Sequence, residues 1–386
     1  MPRQRVASFG AGWVTENRHV PAMREHGGFD VVALVDRRIE RARRAAERLG
    51  VPHAFAGATA HDVPDLDDLG VDVVTCGTAP FNHFEVVASA LDSGRHVITE
   101  KPFTMTVAQG ELLVARARES RRQLAVVHNF QYAPSVQRVD RWVRRGRLGR
   151  VRAIWAAQLS NPRRRLPAWY DDLPLGLFYD ESPHLLYLVA HFAGRVPDIE
   201  SVAVVPSTTR PPSRTPAQIT VQCSRPLPVT ITMNFEAPVS EWHVTLFGEH
   251  GAAVVDVFRD IAVWVPNDGL HETWSVLGTS LRASLGHWVG YLRSGPKHLR
   301  GDLRYGNDEV FRRFARAIEF GDPPFGITGE DALTVLRAQH EIIASAEGDA
   351  LSPRPTPGQV PLATPSRDTA RRGGRRWRAS PPEPRT

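Results

Sequence analysis

The first 36 residues constrain the fold more than any other part of the chain. Arg5-Val6-Ala7-Ser8-Phe9 is a short strand-like run that enters Gly10-Ala11-Gly12-Trp13-Val14-Thr15. A helical stretch follows, and Phe29-Asp30-Val31-Val32-Ala33-Leu34-Val35-Asp36 reads as the next strand. Strand, glycine turn, helix and strand in that order form the dinucleotide-binding fingerprint. Gly10 permits the tight turn, and Gly12 lets the backbone approach a pyrophosphate seated on the helix N-terminus. Gly10, Gly12, Trp13 and Val14 are therefore candidate cofactor contacts. Asp36 ends the second strand, where a carboxylate can bond an adenosine ribose and repels a 2′-phosphate. That favours NAD. Arg37 and Arg38 come next, and an arginine there can hold a 2′-phosphate, so NADP stays open. Thr15 stands where the fingerprint has a third small residue, and its branched side chain is expected to push the helix off the strand.

Composition sharpens the second signal. The chain has 48 basic residues and only two are lysines, Lys101 and Lys297. Arginine is always charged and forked, whereas lysine is a compact donor that burial can tune, so a lysine kept in an arginine-rich chain is a candidate for chemistry. Val71-Asp72-Val73-Val74-Thr75-Cys76 reads as a buried strand, Gly77-Thr78-Ala79-Pro80 as a turn and residues 82–91 as a helix. Arg95-His96-Val97-Ile98-Thr99 is then a strand with Glu100-Lys101-Pro102 at its carboxyl end, where open parallel sheets bind ligands.

The length allows two domains. Residues 1–130 are expected to form a Rossmann domain and 131–350 an α+β domain, in which runs at 218–223, 229–235, 243–247, 252–257 and 261–265 alternate as a large, mostly antiparallel open sheet does. Helices are expected at 135–147, 310–320 and 330–346, and the stretch 266–305 reads as a helix-rich insertion. Residues 351–386 lose all apolar periodicity and read as a disordered Pro/Arg-rich tail. Eight arginines against two acids give it an excess equal to the net charge of +6 of the whole chain. The folded body is thus near neutral, and nucleic-acid binding is not indicated. The first strand is expected within five residues of Met1, so no leader is expected; no run is long and apolar enough to span a membrane; Cys76 and Cys223 show neither metal spacing nor a disulfide pattern. A cytoplasmic protein without a metal is the expectation.

Phe178-Tyr179-Asp180-Glu181-Ser182-Pro183-His184 carries the third signal. Ser182 reads as an N-cap and Pro183 as the first helical residue. His184 then falls in the first turn, with Asp180 just before the helix and able to reach its imidazole. A carboxylate-oriented histidine is the usual form of a general base.

Together these residues resemble the Gfo/Idh/MocA family of nicotinamide-dependent oxidoreductases, over nearly all of residues 4–348. The likeness rests on Gly10-Ala11-Gly12-Trp13, Thr78-Ala79-Pro80-Phe81-Asn82-His83, Gly94 through Pro102, Asp180 with His184, and Gly329-Glu330-Asp331-Ala332. It implies that Lys101, Asp180 and His184 are catalytic, that Thr78, Pro80, His83, Glu100 and Asn129 line the cofactor site, and that a sugar or cyclitol meets Lys101, Tyr179, Asp180, His184 and Tyr187. It also implies a homodimer or homotetramer. Ser182 replaces a glycine of the family pattern, Tyr187 an acid and Gln131 an arginine. The expected activity is hydride transfer between nicotinamide and a hydroxyl or keto carbon, with His184 as base, Asp180 orienting it and Lys101 on the oxygen. An NAD-dependent glycosidase and a non-catalytic NAD-binding regulator are the alternatives. Arg163-Arg164-Arg165 reads as a solvated loop that could hold a phosphate.

Overall fold

The structure, a computed structural model, describes residues 3–351 apart from 165, 167, 168, 209–212 and 302. The Pro/Arg-rich tail beyond residue 351 and Arg165 lie outside the described residues. The chain opens with β1 (Gln4–Phe9), α1 (Val20–His26), β2 (Phe29–Asp36), α2 (Ile39–Leu49), β3 (His53–Ala56), the single turn α3 (Asp65–Asp68), β4 (Val73–Cys76), α4 (His83–Asp92), β5 (His96–Thr99), α5 (Val107–Glu119) and β6 (Leu124–Val126). The six strands form one parallel sheet in the order β3-β2-β1-β4-β5-β6. The order reverses between β1 and β4, which creates a crevice at the carboxyl ends of these two strands. β4 and β6 are buried along their whole length, as strands covered on both faces must be.

The second unit contains α6 (Pro134–Arg144), β7 (Val151–Leu159), α7 (Leu177–Ala193), β8 (Asp198–Val205), β9 (Gln218–Arg225), β10 (Val229–Asn234), β11 (Glu241–Gly248), β12 (Gly251–Asp256) and β13 (Ile261–Pro266). Its seven-stranded sheet runs β13-β12-β11-β7-β10-β9-β8, and β7–β10 is its only parallel pair. Burial alternates along β10, so Val229, Ile231 and Met233 face a core shared with α6 and α7, while threonines point outward. Three helices close the described chain: α8 (Thr273–Arg300), α9 (Asn307–Phe320) and α10 (Gly329–Leu351). α9 returns to the first unit, where Phe311 and Phe314 pack with β1, β2 and α1. α10 joins the units: Ala332, Leu333 and Leu336 pack with α5, and Ala338 and Ile342 enter the core under the second sheet.

The stretch expected to be helix-rich is one 28-residue helix, α8, lying on β13. Gly290 makes this close approach possible, because a β-carbon there would fall 2.7 Å from the Ile261 side chain. The opposite side of α8 carries Trp274, Leu277, Leu281, Leu285, Trp288 and Leu292, all more than half exposed.

The sequence-based placement of the α7 start needs correction. Ser182 and Pro183 do not open the helix; it begins at Leu177 and carries Pro183 inside. A proline there removes the N–H that would bond the carbonyl of Tyr179. Gln339 of α10 supplies the missing donor: its Nε2–H group bonds the Tyr179 oxygen at 2.6 Å and Ser182 Oγ at 2.8 Å, and the side chain is fully buried. The local signals at Ser182 and Pro183 are outweighed by this splint and by Phe178 and Tyr179, which are buried to 1% and 0% exposure. Replacing Gln339 with Leu is expected to destabilise the protein by about 1–3 kcal/mol, the cost of an orphaned buried carbonyl. Urea unfolding checks this. In a Pro183→Ala background the loss should shrink, because the alanine N–H can restore the helical bond; equal losses in both backgrounds would refute the splint.

Candidate active site

Three strand ends build the cofactor half of the site. Phe9 pairs with Val35 and Cys76, so Gly10 and Gly77 leave neighbouring strands side by side. Gly10 N–H bonds Val35 O and Gly77 N–H bonds Phe9 O, each at 2.8 Å. Gly10 has φ +88°, and a β-carbon on it would fall 2.7 Å from Gly77 O. The turn therefore holds two backbones together and leaves a groove that a larger residue would fill. Asp36 closes the far side. Its carboxylate accepts from Ala11 N–H at 3.1 Å and Arg38 N–H at 3.0 Å, with Arg41 Nε 3.8 Å away. Glycine backbone, helix N-terminus and carboxylate suit a dinucleotide's phosphates and ribose. Thr15 does not spoil the fit. Residues Thr15–His19 form a wider π turn, Thr15 Oγ donates to Gly10 O at 2.5 Å, and Gly77 lacks the β-carbon that would sit 2.6 Å from that oxygen.

The chemical half lies where β5 meets α7. Lys101 Nζ donates to the Asp180 carboxylate at 2.7 Å and to the Asp180 backbone oxygen at 2.9 Å, and both side chains are 15% exposed. Behind the lysine, His19 Nε2–H bonds Glu100 Oε1 at 2.9 Å, and Lys101 N–H bonds Glu100 Oε2 at 3.1 Å. Burial pushes the Glu100 carboxyl up, but the His19 hydrogen bond and charge, with Lys101, hold it net below its ordinary value. His184 is one helical turn past Asp180. Its ring stacks on Phe130, with centroids 4.2 Å apart at 16°, and meets the edge of Trp242 at 5.3 Å.

Asp180 does not orient His184 as the sequence suggested. The Asp180 carboxylate is taken by Lys101, and His184 Nδ1 instead faces Tyr187 Oη at 2.6 Å. Burial first, then the Lys101 charge and His128, hold the His184 imidazole well below its ordinary value. Burial pushes the Tyr187 phenol well up, against the Phe130 N–H that bonds it.

One cleft of about 1270 Å³ brings Gly10, Gly12, Trp13, Val14, Asp36, Arg37, Thr78, Pro80, Glu100, Lys101, Asn129, Asp180 and His184 together. Three expected contacts are absent from it. His83 is buried, and its Nδ1–H bonds Pro102 O at 2.7 Å, so it buttresses the Lys101 loop. Tyr179 is buried with its hydroxyl on Thr104 O at 2.7 Å, and Tyr187 lies behind His184. On a helix with an apolar core behind it, these two positions face inward. Arg164, expected in a solvated loop, instead pairs with the buried Glu181 and lines the cleft beside Trp169.

The sequence reading missed Arg18, Phe130, Tyr305 and His298, which also line the cleft. Arg18 sits over the rings of Trp13 and Tyr305, with its guanidinium carbon 4.9 and 5.5 Å from their centroids. Nothing local marks these residues, because three segments far apart in sequence supply them. A basic hollow of about 570 Å³ adjoins the cleft, lined by Arg38, Arg41, Arg44 and Arg48. The arginine spacing along α2 could have signalled it. Among the described residues no His/Cys/Asp/Glu cluster could hold a metal, and no helix is long and apolar enough to cross a membrane.

Both units of the chain match known proteins. Residues 4–128 match the family model described as an oxidoreductase family with an NAD-binding Rossmann fold, and 136–254 match the GFO/IDH/MocA C-terminal domain. A D-apiose dehydrogenase of Paraburkholderia graminis is 34% identical over 147 residues, 38% of each chain. A dTDP-3,4-didehydro-2,6-dideoxy-alpha-D-glucose 3-reductase of Streptomyces antibioticus is 32% identical over 207 residues, 53% of this chain and 60% of that one. The matches thus span less than two thirds of these curated relatives. Among solved structures, GenD2 from gentamicin A biosynthesis with NAD superposes with TM-score 0.70 at 20% identity, covering 90% of this chain and 95% of that one. The WlbA dehydrogenase of Bordetella pertussis with NADH and UDP-GlcNAcA gives 0.70 at 18%, covering 90% and 96%. With both family models in chain order and the same two-unit fold, the chain belongs to the Gfo/Idh/MocA family of oxidoreductases with an NAD-binding Rossmann domain.

Proposed function

We propose that this protein is an NAD(P)-dependent oxidoreductase acting on a hydroxyl or keto carbon of a sugar, cyclitol or sugar derivative. One observation carries the reading: the Lys101–Asp180 pair and His184 share a cleft with the glycine turn. The names of relatives support the substrate class, being an apiose dehydrogenase, a glucoside 3-dehydrogenase and a nucleotide-sugar 3-reductase. Bound nicotinamide supplies hydride chemistry. The chain supplies the rest. The Gly10–Val14 turn and Asp36 hold phosphates and ribose, and Asp36 favours NAD over NADP. Lys101 and His184 meet the reacting oxygen, and Asp180 holds the Lys101 ammonium in place. Phe130 and Trp242 pack the His184 ring against rotation.

Near-ultraviolet absorbance of NADH and NADPH against a panel of sugars, cyclitols and sugar phosphates tests this. Turnover with at least one member is expected, and Lys101→Met should lower it on the order of 10²–10⁴-fold while NAD binding persists. NAD binding with no net redox change on any member, or full activity in Lys101→Met, would sink the proposal.

We also propose that the protein forms a homo-oligomer through α8. Its six outward apolar side chains expose roughly 800 Å², taking ~150–250 Å² for a large side chain, which is about one partner's share of a standard interface. Monomers rarely expose a continuous patch that large. Light scattering after size exclusion should give a dimer or larger, and Leu285→Glu should dissociate it at unchanged helical content. A monomeric parent protein would end this proposal.

A further inference from the structure

Tyr187 has no part in the steps above, yet its hydroxyl sits at a hydrogen-bond junction. Phe130 N–H donates to Tyr187 Oη at 3.0 Å. His184 Nδ1 lies 2.6 Å from the same oxygen, and Asn129 Oδ1 lies 3.5 Å away. The Asn129 amide is oriented independently, because its Nδ2–H donates to Tyr305 O at 3.0 Å. A phenol has one proton to give. It can go to the imidazole at 2.6 Å, or to an amide oxygen at the outer limit of a hydrogen bond.

We propose that Tyr187 is a positioning residue that donates its proton to His184 Nδ1, fixing the ring as the neutral Nε2–H tautomer, so that His184 meets the substrate oxygen as a hydrogen-bond donor and is not the base that takes its proton. Among the described residues no protein group bonds His184 Nε2, and His184 lines the cleft. The surroundings oppose a second proton on the ring. Lys101 approaches from the end of β5, and burial with that charge holds the imidazole well below its ordinary value. Tyr187 offers no negative charge from the same helix. His128, stacked on Tyr187 with centroids 4.5 Å apart, is itself pushed down to about 3 by burial. The two nearby carboxylates are engaged, Asp180 with Lys101 and Glu100 with His19. A carboxylate in place of Tyr187 would reverse this arrangement, since it can only accept and would draw the proton to Nδ1.

The role at the substrate oxygen rests on the oxidoreductase reading; the tautomer does not. Two-bond ¹H–¹⁵N correlation spectra of the full chain labelled with ¹⁵N-histidine read the tautomer directly, with the His184 signals identified by their loss in His184→Gln. The expected result is a bare Nδ1 and a protonated Nε2 throughout, from about pH 6 to about pH 8, a range that brackets the ordinary imidazole value of ~6.5. In Tyr187→Phe both nitrogen signals should move toward the average of two mixed tautomers. In Tyr187→Glu the protonated nitrogen should become Nδ1. A protonated Nδ1 in the parent protein, a ring that titrates in this range, or an unchanged pattern in Tyr187→Phe would each overturn the proposal. No NAD or sugar is needed, so a failed redox assay and a wrong tautomer remain separate results.

Discussion

The ion pair between Lys101 and Asp180 is the contact on which the rest of the site depends. It ties the carboxyl end of a strand in the first sheet to a helix under the second. A pair this buried contributes little net stability, because desolvation offsets most of the attraction. Its value lies in position. Register with β4 brings Lys101 to the crevice, Glu100 behind it is held by His19, and the ammonium reaches both the carboxylate and the backbone oxygen of Asp180. With Asp180 committed to the lysine, His184 must find another partner.

That partner is a phenol, and the difference is electrostatic. A carboxylate behind an imidazole raises its proton affinity, whereas a buried neutral hydroxyl leaves burial and the nearby Lys101 cation unopposed. The site thus sets Lys101 and an imidazole held well below its ordinary value on one cleft. Stacking on Phe130 and an edge contact with Trp242 fix the ring plane without adding charge.

The helix that carries Asp180 and His184 is itself held by tertiary contacts. Pro183 interrupts its ladder between the two residues, and Gln339 from α10 repairs the break. α10 also packs on α5 of the first unit. One helix therefore sets the relation between the strand that delivers Lys101 and the helix that delivers its partner.

Much of this was legible in the chain. The glycine turn between two apolar runs determined a Rossmann unit, because few residue patterns permit strand, tight turn and helix in that order. Alternating runs announced the second sheet, and a lysine kept among arginines marked a residue that lines the cleft and pairs with Asp180. These signals are local, since they depend on backbone preferences and nearest neighbours. Which groups pair could not be read this way. Asp180 and His184 are neighbours in sequence, and a carboxylate–imidazole bond was the obvious local choice; only the fold shows that Lys101, 79 residues earlier, takes the carboxylate. Likewise, Ser182-Pro183 carries a sound helix-start signal. Burial of Phe178 and Tyr179 and a donor from Gln339 outweigh it, because packing and long-range hydrogen bonds exceed capping preferences of about 1 kcal/mol. The sequence by itself determined the fold and the chemical groups present. The tertiary structure decided which of them touch, because those contacts join segments far apart in the chain.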